Sequence, residues 1–553
     1  MLEEINDEAV ELLSKASGTD KEEIPVEPAR EGFGDISSRI AFILSPKQKK
    51  NPAEIAKSIA GNIDASKSKY FSEVKAVGPY INFYMNDSAY FFMLKKILKE
   101  KNKFGKRKNT GKQIMVEYFH ANTHKGTHIG HIRNISLGES VCRILEFSGN
   151  KIIRANYQGD IGPHVAKCLW GFINLYDEKA PKENRGVWLG KVYAEASQKI
   201  KGNEELEKQV QEINLKLYAK DREIYNIWKK TRQWCLDDFD KFYREFGVKF
   251  DEFYFESQTE GPGKEISLEL LKKGIAKKDQ GAVIMDLKED DLGVFVLLTK
   301  EGYPLYSAKD LGLAKLKFSK YDLDRSIHVV GKEQEFHFKQ LFKTFAKAGM
   351  YKAAEVSYHL IYELVMLPEG KMSSREGTMV LYEDLKNKLM EITRAEIRKR
   401  HEDWKEKKIE KVAEQIAFAA IKFTMLKRES NRTLVFDWDE ALSLEGDTGP
   451  YLQYAYVRTN GILKKAKFKM KLSDKYSFTD EEKKLIRELC LFPETIEKSA
   501  SSLAPNTLCA YLIHIAAELN RFYVSSPVLK AEKKLDIEAM VERSLESIKI
   551  IEL

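Results

Sequence analysis

No apolar run in this 553-residue chain approaches the roughly 18 residues that a membrane span needs. Cysteine is scarce and scattered: Cys142, Cys168, Cys235, Cys490 and Cys509 form no CxxC pair and no Cys/His cluster at ligand spacing. That argues against disulfides and against a structural zinc. The N-terminus, MLEEINDEAVELL, lacks the basic stretch and apolar core of a secretion signal. Internal repeats and low-complexity segments are missing too. Together these absences point to a cytoplasmic globular protein without membrane association. What is present is ordinary: 43% apolar residues, 32% charged residues and a net charge of +8. That mild basic excess suits a nucleic-acid partner and equally suits a well-solubilised enzyme. The length predicts about three or four domains.

Residues 1–95 read as a small α+β domain. Ile5, Ala9, Leu12 and Leu13 mark a first helix, GDISSRIAFIL and NPAEIAKSIAGNI two more, and VKAVGPYINFYM a hairpin around Gly78-Pro79. The Lys/Arg run from Lys95 to Lys112 follows. Its segment 96–112 reads either as a solvated helix end and linker or as a basic strap touching a phosphate backbone.

From Gln113 the pattern becomes α/β. IMVEYF is a buried strand, Ile132, Ile135, Val141, Ile144 and Leu145 give one helix face, Gly149 ends that helix, and KIIRANY is the next strand. Strand, helix and strand at this spacing form a parallel crossover, whose first turn lies at the carboxyl edge of a Rossmann-like sheet where ligands bind. Residues 185–247 read as a charged helical insertion without chemistry, and Gly261-Pro262-Gly263 as a turn. Strands return at AVIMDL and VFVLL, then in YPLYSAKDLGLAKLKF, IHVVGKEQEFHFKQ and VSYHLIYELV, the last emptying into LPEGKMSSREGT. The α/β domain therefore spans 113–381, and 382–553 reads as an all-helical domain.

Within EYFHANTHKGTHIGHIRN, His128 and His131 stand one helical turn apart around Gly130 at a helix start. A helix N-terminus presents unpaired N–H groups and partial positive charge, which attract phosphate. Two imidazoles add directed donors, and Gly130 leaves room for a base or ribose against the backbone. HxGH alone is weak and equally describes two structural histidines. The partner that sharpens it is Lys371-Met372-Ser373-Ser374 near the end of the same domain. Donors gathered around a crowded, charged transition state are what displacement at the α-phosphate of ATP requires.

HIGH together with KMSS resembles the class I aminoacyl-tRNA synthetases. EYFHANTHKGTHIGH, YPLYSAKD, GKEQEFHF and DTGPYLQYAYVR resemble the arginyl-tRNA synthetases in order and spacing, over essentially the whole chain. The resemblance implies an ATP-dependent ligase that makes arginyl-adenylate with Mg²⁺ and passes arginine to tRNA(Arg). It implies catalytic and ATP-binding roles for His128, Gly130, His131 and Lys371, with Met372, Ser373 and Ser374 lining the ATP site. It further implies arginine binding by Glu117 and Asp310 at the guanidinium, Tyr306 beside it, and Asn122, His128 and Gln334 toward the amino-acid end. A guanidinium wants carboxylates in fork geometry, which fits this set.

One feature departs from the common pattern. Ser374 stands where the loop usually carries its second lysine, and Lys125, just upstream of HIGH, is placed to supply that charge. Resemblance also implies tRNA contacts by Tyr80 and Asn82 at the D-loop and by Tyr451, Gln453, Tyr454 and Arg458 on the anticodon side; Tyr454 and Arg458, four apart, share a helix face. It implies, too, that arginine activation needs tRNA. The self-contained domains suggest a monomer. Two other readings stand beside this one: a cysteinyl-type synthetase, which would need the cysteine set this chain lacks, and a catalytically inactive tRNA-binding paralogue.

Overall fold

Around Gly78-Pro79 the chain makes the expected hairpin. The computed structural model describes residues 3–30, 32–366, 380–466 and 476–525. Its first helices are α1 (Glu3–Ser17), α2 (Ile40–Gln48) and α3 (Pro52–Gly61), packed on strands β1 (Val26–Pro28), β2 (Ile36–Ser38), β3 (Phe71–Val77) and β4 (Tyr80–Met85). The sheet order is β1-β2-β4-β3, antiparallel throughout. GDISSRIAFIL is therefore not one helix. Ile36 pairs with Phe83 on β4, and the Ser38 hydroxyl accepts the Ile40 N–H (3.3 Å), so the chain turns from strand to helix at Arg39. Sheet pairing has overridden the helical spacing of the apolar residues.

Helix α4 (Asp87–Glu100) runs straight through the boundary expected at 95. The basic run beyond it is fastened down. The Arg107 N–H donates to the Phe147 carbonyl (3.0 Å) and the Thr110 N–H to that of Gly149 (2.9 Å). Gly149 has a φ of +88°, and a side chain there would meet the Lys108 carbonyl at 2.1 Å. The helix terminator thus also makes room for the strap.

The chain divides into two compact units. Among the described residues, one joins those up to 106 with 454–496 and 511–525; the other is Arg107–Gln453 with Glu497–Ala510. The second is built on β5 (Gln113–Glu117), α5 (Ile129–Phe147) and β6 (Lys151–Gln158), the expected crossover. Helices α6 (Pro163–Asn174), α7 (Arg185–Ile200), α8 (Glu204–Tyr218) and α9 (Arg222–Phe246) follow, then β7 (Glu252–Phe255) and α10 (Glu256–Lys272). Next come β8 (Lys277–Asp279), β9 (Ala282–Asp286), β10 (Val294–Leu298), α11 (Tyr306–Lys320), β11 (Arg325–Gly331), α12 (Glu335–Lys347), α13 (Tyr351–Val356) and β12 (Ser357–Tyr362).

Five of these strands form a parallel sheet of order β12-β11-β5-β6-β7. Strand order reverses between β5 and β11, the switch point at which such sheets open a crevice at their carboxyl ends.

Of the later local expectations, one holds and two are corrected. AVIMDL and VFVLL are strands as expected, and they pair with each other, with β8 on the far side of AVIMDL, in a separate antiparallel sheet of order β10-β9-β8. YPLY contributes only an isolated bridge between Leu298 and Pro304 before α11 begins. Gly261-Pro262-Gly263 lies inside α10. A side chain at Gly263 would meet the Ala308 carbonyl at 2.1 Å, and one at Gly312 the Thr259 carbonyl at 2.3 Å. These glycines let α10 and α11 touch backbone to backbone. Helix α5 also differs from the one-faced helix expected, since nearly every side of it is buried; Gly138 lies against the Tyr118 ring, and a later helix, Glu406–Leu426, covers another side.

The remaining elements are β13 (Val365–Met366), α14 (Tyr382–Arg400), α15 (Glu406–Leu426), β14 (Leu434–Val435), α16 (Trp438–Leu442), α17 (Gly449–Ala466), α18 (Asp480–Cys490), α19 (Phe492–Ser502) and α20 (Pro505–Ser525). Helices α14 to α16 fall in the same compact unit as the parallel sheet. Lys422 on α15 donates to the Phe246 carbonyl (3.0 Å), and the buried Arg133 guanidinium donates to the carbonyls of Ser430 (2.9 Å) and Arg432 (2.8 Å). The expected break at 381 is thus bridged by part-buried hydrogen bonds.

Candidate active site

The turn after β5 is held in an unusual backbone conformation. Phe119, His120 and His124 have φ of +80°, +50° and +63°, values that cost non-glycine residues about 1–3 kcal/mol each. Compensating contacts fix them. Asn134 accepts the Phe119 N–H, and the Phe119 ring packs among His131, Phe239, Phe242 and Tyr243. His124 is fully buried, with its ring nitrogens 2.9 Å from Thr123 Oγ1 and 2.8 Å from Thr231 Oγ1. Burial pushes its pKa down to about 3.

His128 is the N-cap of α5. Its Nδ1 accepts the Gly130 N–H (3.2 Å), and His131 Nδ1 accepts the His128 N–H (3.1 Å). Each Nδ1 is therefore an acceptor, which in a neutral imidazole leaves the proton on Nε2. Burial, with Lys125 adding to it, pushes His128 down to about 4, and burial with His128 drives His131 well below the usual range. Both rings are neutral donors at the helix start, their centres 3.8 Å apart and their planes tilted by 41°. A side chain at Gly130 would sit 3.0 Å from the His128 ring.

A cavity of about 440 Å³ opens at the switch point. Its wall carries Glu117, His120 and Asn122 from the end of β5, Gly159 beyond β6, Glu256 at the start of α10, and Tyr306 and Asp310 on α11. Gln334, at the end of β11, completes the set expected from the sequence, apart from His128.

The structure qualifies Glu117. It is opposite His328 in the β5–β11 register, accepts from His328 Nδ1 (3.2 Å), and is ion-paired with Lys317. Burial would raise its carboxyl, but Lys317 and His328 outweigh that and hold it far below the usual range. Its charge is thus already matched inside the protein. Asp310 keeps one oxygen on His337 Nε2 (2.7 Å). Tyr306 is 62% exposed on the helix turn before it.

Sequence reasoning missed several members of this site. Glu256 is buried beside Lys309 (2.9 Å), and burial, opposed by Lys309, pushes its carboxyl up to about 7. A side chain at Gly159 would lie 2.0 Å from Asn122 Oδ1 and 3.1 Å from Glu256 Oε1. Two acceptors therefore converge over a bare stretch of backbone, the geometry for an ammonium group. No local pattern marks Glu256, because it follows a short edge strand.

The insertion read as lacking chemistry also supports the site. Its Arg232 pairs with buried Asp160 (2.8 Å), which accepts from the Ser257 N–H (2.9 Å). Gly190 lies against Gly126, and Tyr193 lies under the Lys125 ammonium, 5.3 Å from ring centre to Nζ. Lys371, Met372, Ser373 and Ser374 lie outside the described residues.

Of the surface residues, Tyr80 is 39% exposed with its ring against Phe42. Asn82 is a correction. It is 2% exposed, paired between Ser37 and Lys75 in the middle of the sheet, and is not available as a surface contact. On α17, Gln453 donates to the Gln415 carbonyl (3.1 Å), and the Arg458 guanidinium lies over Tyr523 (3.9 Å) and donates to Asn520 (3.2 Å). Tyr451 is half-buried, which leaves Tyr454 as the exposed member of the four.

Comparison with known proteins agrees along the chain. The family described as tRNA synthetases class I (R), catalytic domain, matches residues 93–438. The arginyl tRNA synthetase N terminal domain matches 3–85, and the DALR anticodon binding domain matches 452–543. The chain is 35% identical over 533 residues to the arginine–tRNA ligase of Treponema denticola, covering 92% of this chain and 89% of that protein. It is 32% identical over 515 residues to that of Bdellovibrio bacteriovorus, covering 91% and 87%. Among solved structures, the arginyl-tRNA synthetase of Thermus thermophilus superposes with a TM-score of 0.80 at 25% identity, over 100% of this chain and 99% of that one.

Proposed function

The chain belongs to the class I arginyl-tRNA synthetases, and on that premise we propose how its residues divide the reaction. It is an ATP-dependent ligase that activates L-arginine as arginyl-adenylate, transfers it to the 3′ end of its tRNA, and releases pyrophosphate and AMP.

The cavity between β5 and β11 receives arginine. Asp310 takes the guanidinium through its oxygen not held by His337, with Tyr306 closing over the side chain. Glu117 acts as a buried, Lys317-matched acceptor at the cavity floor. Asn122 and Glu256, converging over Gly159, take the α-ammonium, and Gln334 lies at the rim. The arginine carboxylate is then directed toward His128 and the start of α5. There it attacks the α-phosphate, while His128 and His131 donate neutral Nε2–H bonds to phosphate oxygens and Gly130 admits the nucleoside. Donors that need no protonation work across the neutral pH range. On the strength of their motif, Lys371 neutralises the departing pyrophosphate with help from Lys125, and Met372, Ser373 and Ser374 complete the ATP site. Magnesium takes most of its ligands from phosphate and water and would enter with ATP; no residue here is assigned to it.

Tyr80 and Tyr454 are the exposed aromatics suited to stacking on tRNA bases. The self-contained domains favour a monomer, and the reading is completed by work on tRNA in the cytoplasm.

The observation that carries this division is the paired geometry of an acid-lined cavity beside two neutral imidazoles at a helix N-terminus. ATP–pyrophosphate exchange, run with and without tRNA, tests it. Asp310→Asn should raise the KM for arginine at least about tenfold, the loss expected when a charged hydrogen bond goes, and leave the KM for ATP near its starting value. An unchanged arginine KM would remove Asp310 from the guanidinium site. Exchange driven by an amino acid other than arginine would overturn the pocket as a whole.

A further inference from the structure

Arg133 stands on α5 two residues past His131, and it is only 1% exposed. Among the described residues no carboxylate pairs with it. Its guanidinium instead donates to the carbonyls of Ser430 (2.9 Å) and Arg432 (2.8 Å), and at longer range to those of Glu429 (3.4 Å) and Leu364 (3.5 Å). Burial pushes its pKa down to about 10, with Tyr362 and Glu363 opposing, so the cation persists at neutral pH. A buried charge held by carbonyls alone is a costly fastener, and apolar packing would hold two segments together at least as well. What a guanidinium adds is direction, because its planar fork fixes several acceptors at once.

Those acceptors belong to one small assembly. Leu364 precedes β13, which pairs in parallel with β14, Val365 opposite Leu434 and Met366 opposite Val435. The Glu363 N–H donates to the Ser430 carbonyl (2.8 Å), and the Leu434 N–H to that of Leu364 (3.1 Å). Arg133 thus ties β13, and the turn before β14, to the helix whose start carries His128 and His131. The chain then comes back to that helix start. The Ile129 N–H donates to the Val380 carbonyl (3.2 Å), the Tyr382 N–H donates to that of Thr127 (2.9 Å), and His128 and Leu381 form a bridge. Between these two attachments lies the stretch of sequence that holds Lys371. It follows Met366 by five residues, a reach of at most about 18 Å.

The second attachment runs from backbone to backbone and needs no particular side chain. The first depends on Arg133. We propose that Arg133 is a positioning residue for adenylate formation, fixing β13 on α5 so that the chain leaves toward Lys371 from a set point relative to the two histidines. Arg133 touches no substrate and acts through Lys371. This rests on Lys371 serving the departing pyrophosphate. Errors of placement are expensive at such a centre, since a shift of about 1 Å can cost about a hundredfold in rate.

A double-mutant cycle separates positioning from stability alone. Arg133→Met keeps the bulk and removes every donor, Arg133→Lys keeps the charge without the fork, and each is made alone and together with Lys371→Ala. In tRNA-dependent pyrophosphate exchange, Arg133→Met should lower kcat at least about tenfold and leave the arginine KM within about threefold. Arg133→Lys should lower the same constant by a smaller factor. With Lys371 already replaced by alanine, Arg133→Met should cost less than about threefold more, because the group it positions is gone. Losses that multiply in full would show that Arg133 only supports the fold, and would overturn the proposal. A kcat for Arg133→Met within about twofold of the parent, with Lys371→Ala strongly impaired in the same assay, would overturn it too and leave the ATP site standing. Should Arg133→Met not fold, Arg133→Lys carries the same cycle, and full multiplication there is equally decisive. Undiminished exchange by Lys371→Ala would instead remove Lys371 from the ATP site, and the role of Arg133 with it.

Discussion

At the scale of the residue, the site works by matching each charge before the substrate arrives. Glu117 was legible in the sequence as a carboxylate at the end of a strand, but its partners Lys317 and His328 come from α11 and β11 and could not be read locally. Lys125 shows the converse. Its place upstream of HIGH was visible, and the structure adds that it lies over Tyr193 of the insertion, with burial pushing its pKa down and Glu256 opposing. Its charge is felt at His128, which it helps to keep neutral. Replacing Lys125 with alanine should therefore slow adenylate formation by more than about threefold, equal to about 0.6 kcal/mol of barrier. The affinity for tRNA should hardly change. Single-turnover adenylate formation with a parallel filter-binding titration checks both, and a smaller loss in rate would reject Lys125 as the stand-in for the charge missing at Ser374.

At the scale of the element, what most decides the pocket is how closely α10 approaches α11. Gly263 and Gly312 permit that approach, and through it Glu256 and Asp310 face one cavity. The Gly-Pro-Gly sequence suggested a turn because local turn chemistry is the common meaning of those residues. Helix packing used the same absence of side chains differently. Gly312→Ala would place a methyl group 2.3 Å from the Thr259 carbonyl. Overpacking of this kind costs about 1–3 kcal/mol, which should lower the melting temperature by about 2–10 °C. It should also raise the arginine KM, because the wall opens, whereas the same change at exposed Gly261 of α10, which has nothing within 4 Å, should leave both the melting temperature and the arginine KM near their starting values. Calorimetry and pyrophosphate exchange on the two variants decide the point.

At the scale of the whole molecule, the N-terminal domain and the last helices form one compact unit, which the sequence did not suggest. A polar cluster joins them. Asp35 accepts from the Met85 N–H (2.7 Å) and the Tyr90 hydroxyl (2.8 Å), and it pairs with Arg487 of α18, which also donates to Tyr90 (2.9 Å). Lys483 pairs with Asp87 nearby (3.0 Å), and Phe104 stacks on Phe492. Asp35 is buried while Arg487 is partly exposed, so losing the arginine strands a carboxylate. Arg487→Met should destabilise this unit by about 1–3 kcal/mol and weaken tRNA binding, since Tyr80 and Tyr454 belong to the same body. Arginine KM should be unaffected. A double-mutant cycle with Asp35→Asn measures the coupling, and strictly additive losses would show that the pair does not act as a unit.

The sequence by itself determined the order of the elements that carry the chemistry. The apolar strand before Glu117, the His-x-Gly-His helix start, the Gly149 stop and the Lys-Met-Ser-Ser motif all follow from local periodicity and spacing. The family was legible for the same reason. Only the tertiary structure decided which groups meet. It matched Glu117 with Lys317, brought Glu256 beside Asn122 over Gly159 and buried Asn82 within its sheet. Those outcomes depend on strand register and helix crossing, which arise from contacts between residues far apart in the chain and leave no mark at any single position.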